Sequence, residues 1–354
     1  MIKDIFKRSK SNPILNPESN KWWKVYNPGA IMDDEDNIHL YPRVIKQEDD
    51  WHSRIAHAVS EDGENFTWSK RVIFERRSIY EKKGLEDPRI TRIGKYYYMV
   101  FAAYNGKDVN LHSARSLSPS GSWTRLGKML KDFDFVSYGG AMMGWENGKP
   151  HKKINLRSGI KWSKSGALFS EKINNKFCMV FGEYYMWLAF SEDGKRYNAI
   201  KKPLLTPREG NYFDNTFIET GPPPILTEKG WLLFYHGIDD AFRYQLGFVI
   251  LDIENPSKVI FRTDKPVFGP KESYEIGDNL VDAIKGGVDA FKNLSEEKLK
   301  EFYRHARETN IIPQVTFCTG AILKGDYVHI YYGAGDTTVC TAKALLSDLL
   351  SLIC

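Results

Sequence analysis

The chain has 354 residues, with 50 basic and 45 acidic side chains whose formal charge of +5 is scattered along the sequence, so a nucleic-acid partner gains no support. Hydrophobic residues make up 42% and charged residues 27%, ordinary globular proportions that exclude a disordered chain, and the 14% aromatic share suits packed sheet and platforms for flat ligands such as sugar rings. Charges interrupt every apolar stretch of the opening MIKDIFKRSKSNPIL, which leaves neither a signal h-region nor a membrane span; the expected address is the cytoplasm, with no membrane partner.

In chain order, Lys7-Arg8-Ser9-Lys10 reads as a short solvated arm. A recurring unit follows: an aromatic-rich apolar strand, a polar turn with Gly or Asp, a second strand, then Ser or Asp with a turn. Five copies run over 39–63, 96–118, 177–194, 231–255 and 327–347. Short strands with Gly/Asp/Asn turns, repeated at intervals of tens of residues, predict an all-β protein of propeller type, although a sandwich of hairpins shares part of this signal. No linker rich in Pro, Ser or Gly divides the chain, so one domain over 1–354 is expected. Between the fourth and fifth copies, Asn293 to Glu308 breaks the pattern. Ser295 as N-cap, Glu296 and Glu297 in the first turn, and Leu299, Phe302, Tyr303 and Ala306 on one face predict a helical insertion within about 280–310. The cysteines, Cys178, Cys318, Cys340 and Cys354, have no C-x-x-C spacing and are expected to be free thiols rather than zinc ligands.

No Ser-His-Asp order, nucleotide loop or metal motif appears, and the candidates for chemistry are carboxylates beside aromatics and Gly/Pro turns. Gly84-Leu-Glu-Asp-Pro-Arg-Ile90 stands out: two acids adjoin a proline that forces Asp87 out of helical geometry, where a propeller strand would meet its central funnel. An Asp before Pro is ordinarily a turn former, so the tetrapeptide does not decide its own role.

The chain resembles glycoside hydrolase family 130, the mannoside phosphorylases and mannosidases built on a five-bladed β-propeller. The resemblance is carried by Phe6-Lys-Arg8 with Asn12-Pro-Ile-Leu15, Asn27-Pro-Gly-Ala30, Ser53-Arg-Ile-Ala56, Ser60-Glu-Asp-Gly63, Gly84 to Arg89, Ala167 to Lys172, Gly221-Pro-Pro-Pro224, Tyr235-His-Gly237 and Tyr331 to Asp336. It implies a five-bladed propeller, in which the helical insertion read above falls before the last blade. It also implies Asp87 as general acid, acting through a hydroxyl of the bound mannose, and sugar contacts for Asn27, Arg43, Arg54 and Asp336. Such an acid must keep its proton near neutral pH, and burial beside Glu86 is expected to raise the Asp87 pKa; Glu86 can equally bind a sugar hydroxyl.

The family divides on its nucleophile, phosphate or water. At the positions where the phosphorylases resembled here place cations, this chain has Asn105-Gly106-Lys107, retains Lys164, replaces a His-Arg pair by Gly182-Glu183, and approaches Gly221 as Phe217-Ile-Glu-Thr220 without a lysine. Two carboxylates, Glu183 and Glu219, facing a phosphate would repel it, at about 4 kcal/mol for a close pair at an effective dielectric of about 20. The resemblance is therefore closer to the hydrolytic β-1,2-mannosidases, with Glu183 or Glu219 activating water for an inverting cleavage opposite Asp87. The expected partner is a β-linked manno-oligosaccharide, with no metal or organic cofactor; the oligomeric state stays open, a homo-oligomer included. Two rivals stand beside this reading. One is a phosphorylase that uses Lys164, Lys107 and His236 with inorganic phosphate as co-substrate; the other is a sugar-binding propeller without catalysis.

Overall fold

The computed structural model describes residues 5–17, 22–46, 52–69, 72–146, 149–154, 159–276, 295, 297, 298 and 314–353, the side chains of 142–154 excepted. It is a five-bladed β-propeller. After β1 (Lys7–Arg8), the first blade is formed by β2 (Lys24–Met32), β3 (Ile38–Ile45), β4 (Ser53–Ile55), β5 (Ala58–Ser60) and β6 (Thr67–Trp68). The second contains β7 (Gly84–Ile93), β8 (Tyr96–Tyr104), β9 (Val109–Ser116) and β10 (Thr124–Lys128), and a parallel bridge from Ser53 to Gly84 joins these two blades in one sheet. The hairpin of β11 (Met142–Glu146) and β12 (Lys149–Ile154) precedes the third blade, β13 (Ala167–Leu168), β14 (Phe177–Phe181), β16 (Trp187–Ser191) and β17 (Asn198–Ala199). The intervening β15 (Glu183–Tyr184) leaves that blade and pairs with β18 (Phe217–Thr220) of the fourth, which continues through β19 (Ile225–Thr227), β20 (Gly230–Ile238), β21 (Tyr244–Leu251) and β22 (Val259–Arg262). The last blade joins β23 (Thr316–Lys324), β24 (Tyr327–Ala334) and β25 (Thr338–Leu345) to β1.

The five sequence repeats coincide with the two middle strands of each blade. These strands are covered on both faces by neighbouring blades, which explains the apolar runs of β8, β14 and β20: every residue of β20 is buried. Five apolar clusters among the described residues fill the five junctions between blades. Tyr41, Leu85 and Phe101 lie between the first and second, and Phe234, Phe248 and Tyr332 between the fourth and fifth. The Ser-Glu-Asp-Gly sequences close hairpins in two blades by one device: Ser60 Oγ donates to Asp62 Oδ1 and accepts the Gly63 amide, and Ser191 does the same with Asp193 and Gly194. Cys178, Cys318 and Cys340 are buried free thiols, as expected. The predicted helical insertion lies outside the described residues apart from Ser295, Glu297 and Lys298, where the Lys298 amide donates to Ser295 Oγ at 3.3 Å.

The ring is closed by the N-terminal strand, so Lys7-Arg8 is a structural element and not the solvated arm expected. β1 forms the outer edge of the last blade, with Arg8 opposite Ala342. Arg8 Nε and Nη2 donate to the two carboxylate oxygens of Glu275, each at 2.9 Å, and Nη2 also reaches the Gly269 carbonyl. Glu275 is completely buried and further accepts from Tyr332 and from the amides of Lys271 and Glu272. Replacing Arg8 by Ala leaves this carboxylate without its cation, and chemical denaturation should register a loss of about 3 kcal/mol. An unchanged denaturation midpoint would show that the clasp does not hold the ring.

Candidate active site

Two of the strands nearest the axis are bent by the same device. β2 contains Asn27-Pro28 and β7 contains Asp87-Pro88; in each the strand register shifts at the Xaa-Pro pair, and the residue before proline takes a positive φ, 46° at Asn27 and 51° at Asp87. Proline withdraws a ladder donor and keeps its predecessor out of helical geometry, so a bulge forms and re-aims that side chain. Asn and Asp are among the few non-glycine residues that accept the left-handed region. Neighbouring inner strands fit against these bulges: a Cβ on Gly29 would stand 2.7 Å from the Pro88 carbonyl oxygen, and one on Gly320 2.9 Å from that of Pro28. The two re-aimed side chains meet, with Asn27 Nδ2 donating to Asp87 Oδ1 at 2.9 Å.

Asp87 is 4% exposed and surrounded by cations. Arg43, on β3, donates from Nη1 to Asp87 at 3.3 Å, from Nη2 to Glu86 at 2.9 Å and from Nε to Ser53 at 2.8 Å, and its guanidinium lies 4.9 Å from the ring centre of Tyr26. Arg89 is fully buried. It donates to the carbonyl of Asp87 and, across the axis, to those of Thr220 and Gly221 at 2.7 and 2.8 Å. Burial is the largest influence on the Asp87 carboxyl and pushes its pKa up. Arg43, then Lys164, the Asn27 hydrogen bond and Arg89 outweigh it and hold the pKa below the ordinary 3.8. The expectation that Asp87 keeps its proton near neutrality is thereby corrected: in the unliganded protein it is a carboxylate.

Backbone hydrogen bonds assemble the opposite side. The Gly182 amide donates to the Lys164 carbonyl, and the Thr220 amide to the Gly182 carbonyl, each at 3.0 Å. Gly182 has φ 130°, and a Cβ there would stand 2.1 Å from the Tyr185 carbonyl oxygen, so only glycine fits. This junction sets Glu183 directly opposite Glu219 in the β15–β18 pair. Trp162 Nε1 donates to Glu183 at 2.8 Å, and Ser165, at φ 54°, donates a very short hydrogen bond to Glu219. Lys164 bridges the two sides, 3.5 Å from Glu86 and 4.0 Å from Glu183. Burial lowers its pKa, but Glu183, Glu86, Glu219 and Asp87 together overcome this and keep it a cation. Glu219, 2% exposed, is pushed up to about 8, first by burial and then by the facing Glu183. Glu219 therefore tends to hold its proton at neutral pH, where a second carboxylate charge was expected.

Asn27, Arg43, Glu86, Asp87, Lys164, Glu183 and Glu219 are therefore gathered in one connected cluster. Asp336 borders it in the turn after β24. Its pKa is raised by burial, and its carbonyl accepts from Lys24, whose own pKa burial lowers to about 8. Arg54 is placed differently from the expected sugar contact: successive strand residues face opposite ways, so it points away from the face on which Ser53 meets Arg43, and it pairs with Glu75 at 3.3 Å. His236 does not meet the expectation of a substrate-binding cation either. It is fully buried, stacked on Phe317 and accepting the Cys318 amide, and burial lowers its pKa to about 3. Lys107 is exposed in the β8–β9 turn. Arg89, Trp162, Ser165, Tyr26 and Lys24 are cluster members that the sequence did not reveal. Arg89 stood inside the Glu-Asp-Pro-Arg motif, but its cross-axis carbonyl partners are 131 and 132 residues away.

Carboxylates interleaved with arginine and lysine and bordered by aromatic rings suit a hydroxyl-rich ligand and acid–base chemistry at a glycosidic bond. Among the described residues, no group of three or more His, Cys, Asp or Glu could hold a metal ion. A family profile described as β-1,4-mannooligosaccharide phosphorylase matches residues 3–280. The chain is 31% identical to the 1,2-β-oligomannan phosphorylase of Thermoanaerobacter sp. (strain X514), with 99% of each chain covered. In fold it is similar to the β-1,2-mannobiose phosphorylase of Listeria innocua solved with β-1,2-mannobiose, at TM-score 0.73 and 21% identity over 98% of this chain and 99% of that one. Another similar structure, at TM-score 0.72 and 25% identity over 97% and 94% of the two chains, comes from work on family members that are glycoside hydrolases targeting β-1,2 mannosidic linkages in Candida mannan. The chain belongs to glycoside hydrolase family 130 and is an enzyme acting on β-mannosides.

Glu219 binds its proton more tightly in the folded than in the unfolded protein, so its contribution to stability is complete below pH 4.5 and is lost as pH rises through about 8. Gln at this position cannot lose a proton. The melting temperature of Glu219→Gln relative to wild type should therefore be higher at pH 9 than at pH 5; a pH-independent difference would mean that Glu219 titrates normally.

Proposed function

We propose that this enzyme hydrolyses β-1,2-mannosidic bonds of manno-oligosaccharides with inversion, by direct attack of water. The observation that carries the reading is the Glu183–Glu219 pair across the axis from Asp87, with Arg43, Lys164 and Arg89 already engaged. Arg43 is held by Glu86 and Asp87, Lys164 by Glu86 and Glu183, and Arg89 by backbone carbonyls. A phosphate dianion would have to displace carboxylates from Arg43 and Lys164, or backbone carbonyls from Arg89, whereas water needs only an acceptor for its proton.

In this reading Glu219 is the base. Its raised pKa lies close to working pH, where a base combines availability with driving force. Glu183, fixed by Trp162, orients the same water. Asp87 delivers a proton to the glycosidic oxygen, relayed through a mannose hydroxyl as the family resemblance implies, while water forms the new bond at the anomeric carbon and gives its proton to Glu219. The free protein stores the single proton of this pair on Glu219. Turnover requires the form with that proton on Asp87, which has the same net charge and so takes no proton from solvent. Arg43 and Asn27 position Asp87, and Asp336 and Glu86 offer acceptors to sugar hydroxyls.

Phosphorolysis is the second reading, and similarity to the 1,2-β-oligomannan phosphorylase over 99% of the chain favours it. Lys164 is the cation it would have to use. Incubation with β-1,2-mannobiose with and without inorganic phosphate separates the two. Hydrolysis yields mannose equally in both, and Asp87→Asn and Glu219→Gln each lower the rate by at least about 10²-fold without unfolding. Mannose 1-phosphate formed only when phosphate is supplied would replace the first reading by the second.

A further inference from the structure

The second blade holds a cavity of about 480 Å³ between the loop before β7 and strands β9 and β10, lined by none of the cluster residues described above. At its wall, His112 is 8% and Ser113 1% exposed. His112 Nε2, Ser113 Oγ and Arg125 Nε are buried without a hydrogen-bond partner. Each such atom costs on the order of 1–3 kcal/mol when left unpaired, and all three belong to residues that line the cavity.

The sign of the charge says which groups. Arg77, Arg125, Lys128 and Lys161 line the cavity against Glu81 and Asp108. Glu81 is spent on Arg125, which it grips in a very short ion pair while the Glu75 carbonyl takes a second guanidinium hydrogen bond and the ring of Phe74 lies 4.8 Å beneath. The remaining positive charge is felt by its neighbours. Burial, then Lys128 and Arg125, lower the His112 pKa to about 4, and burial and Lys161 lower that of Lys128. At the rim Tyr80 is 51% exposed, its ring 6.2 Å from that of His112. An exposed aromatic ring beside buried donors and lysines suits a sugar ring carrying an anion.

We propose that this cavity binds the phosphate monoester of a small sugar, with the phosphate between Lys128 and Lys161 and the sugar against Tyr80. The inference is independent of which nucleophile the axial site uses. A bound dianion would offset the cations that add to burial in lowering the His112 pKa and would raise it, a signal that binding at the axis does not produce.

The test is an NMR titration of the His112 ring, assigned with His112→Gln, in the full chain with mannose 1-phosphate, inorganic phosphate and mannose. The phosphate ester should shift the ring resonance and raise its pKa, inorganic phosphate should do so more weakly, and mannose should not. Lys161→Ala, at an exposed position, and Lys128→Ala should each weaken the response about tenfold while leaving mannoside cleavage unchanged. A His112 resonance indifferent to the ester, or a response of wild-type strength in Lys161→Ala, overturns the proposal. Equal affinity for inorganic phosphate and the ester overturns the assignment of a sugar.

Discussion

The hydrogen bond from Asn27 to Asp87 depends on two bulges that must form together. Each Xaa-Pro pair sacrifices strand hydrogen bonding and holds a non-glycine residue at positive φ, a local cost that persists only where surrounding structure enforces it. Here the enforcement is packing: Gly29 and Gly320 let the bulged carbonyls sit directly on the next inner strand. Because Asn27 is on the first blade and Asp87 on the second, their meeting also fixes the relative rotation of those blades. Arg89 extends the same constraint across the axis to the fourth blade.

On this frame, the charges of the cluster are mutually dependent. Arg43 and Lys164 share Glu86, and Lys164 also serves Glu183. The outcome is a division of protonation between two carboxyls of similar burial. Asp87, with three cations and an amide close by, stays ionised. Glu219, with a like-charged neighbour on the adjoining strand, takes up a proton. Removing any one cation would therefore alter more than one pKa, and effects of substitutions in this cluster should not be additive.

The fold was legible where the sequence repeats: the two middle strands of each blade are largely buried because both faces are covered, and the turns between them use recognisable Ser/Asp/Gly chemistry. The inner strands were less legible, since they carry the bulges and polar residues that break periodicity. Lys7-Arg8 was misread because two residues do not show that they will be the outer strand of a blade whose other members lie more than 300 residues later. Within the cluster, motifs identified Asp87, Glu86 and Asn27, while Trp162, Ser165 and Lys24 belong to no motif and became visible only through their partners. Arg54 was placed beside the sugar on resemblance, yet strand alternation turns it to the other face.

What the sequence by itself determined is an all-β chain of repeated hairpins, the Xaa-Pro pairs that would bend its inner strands, and the acids beside them. These are properties of short segments, set by apolar patterning and by the φ restrictions of proline. Which carboxyl holds the proton, and which cations are already neutralised, was decided by tertiary structure alone. Protonation depends on burial and on charges a few ångströms away, and here those charges are contributed by strands far apart in the chain.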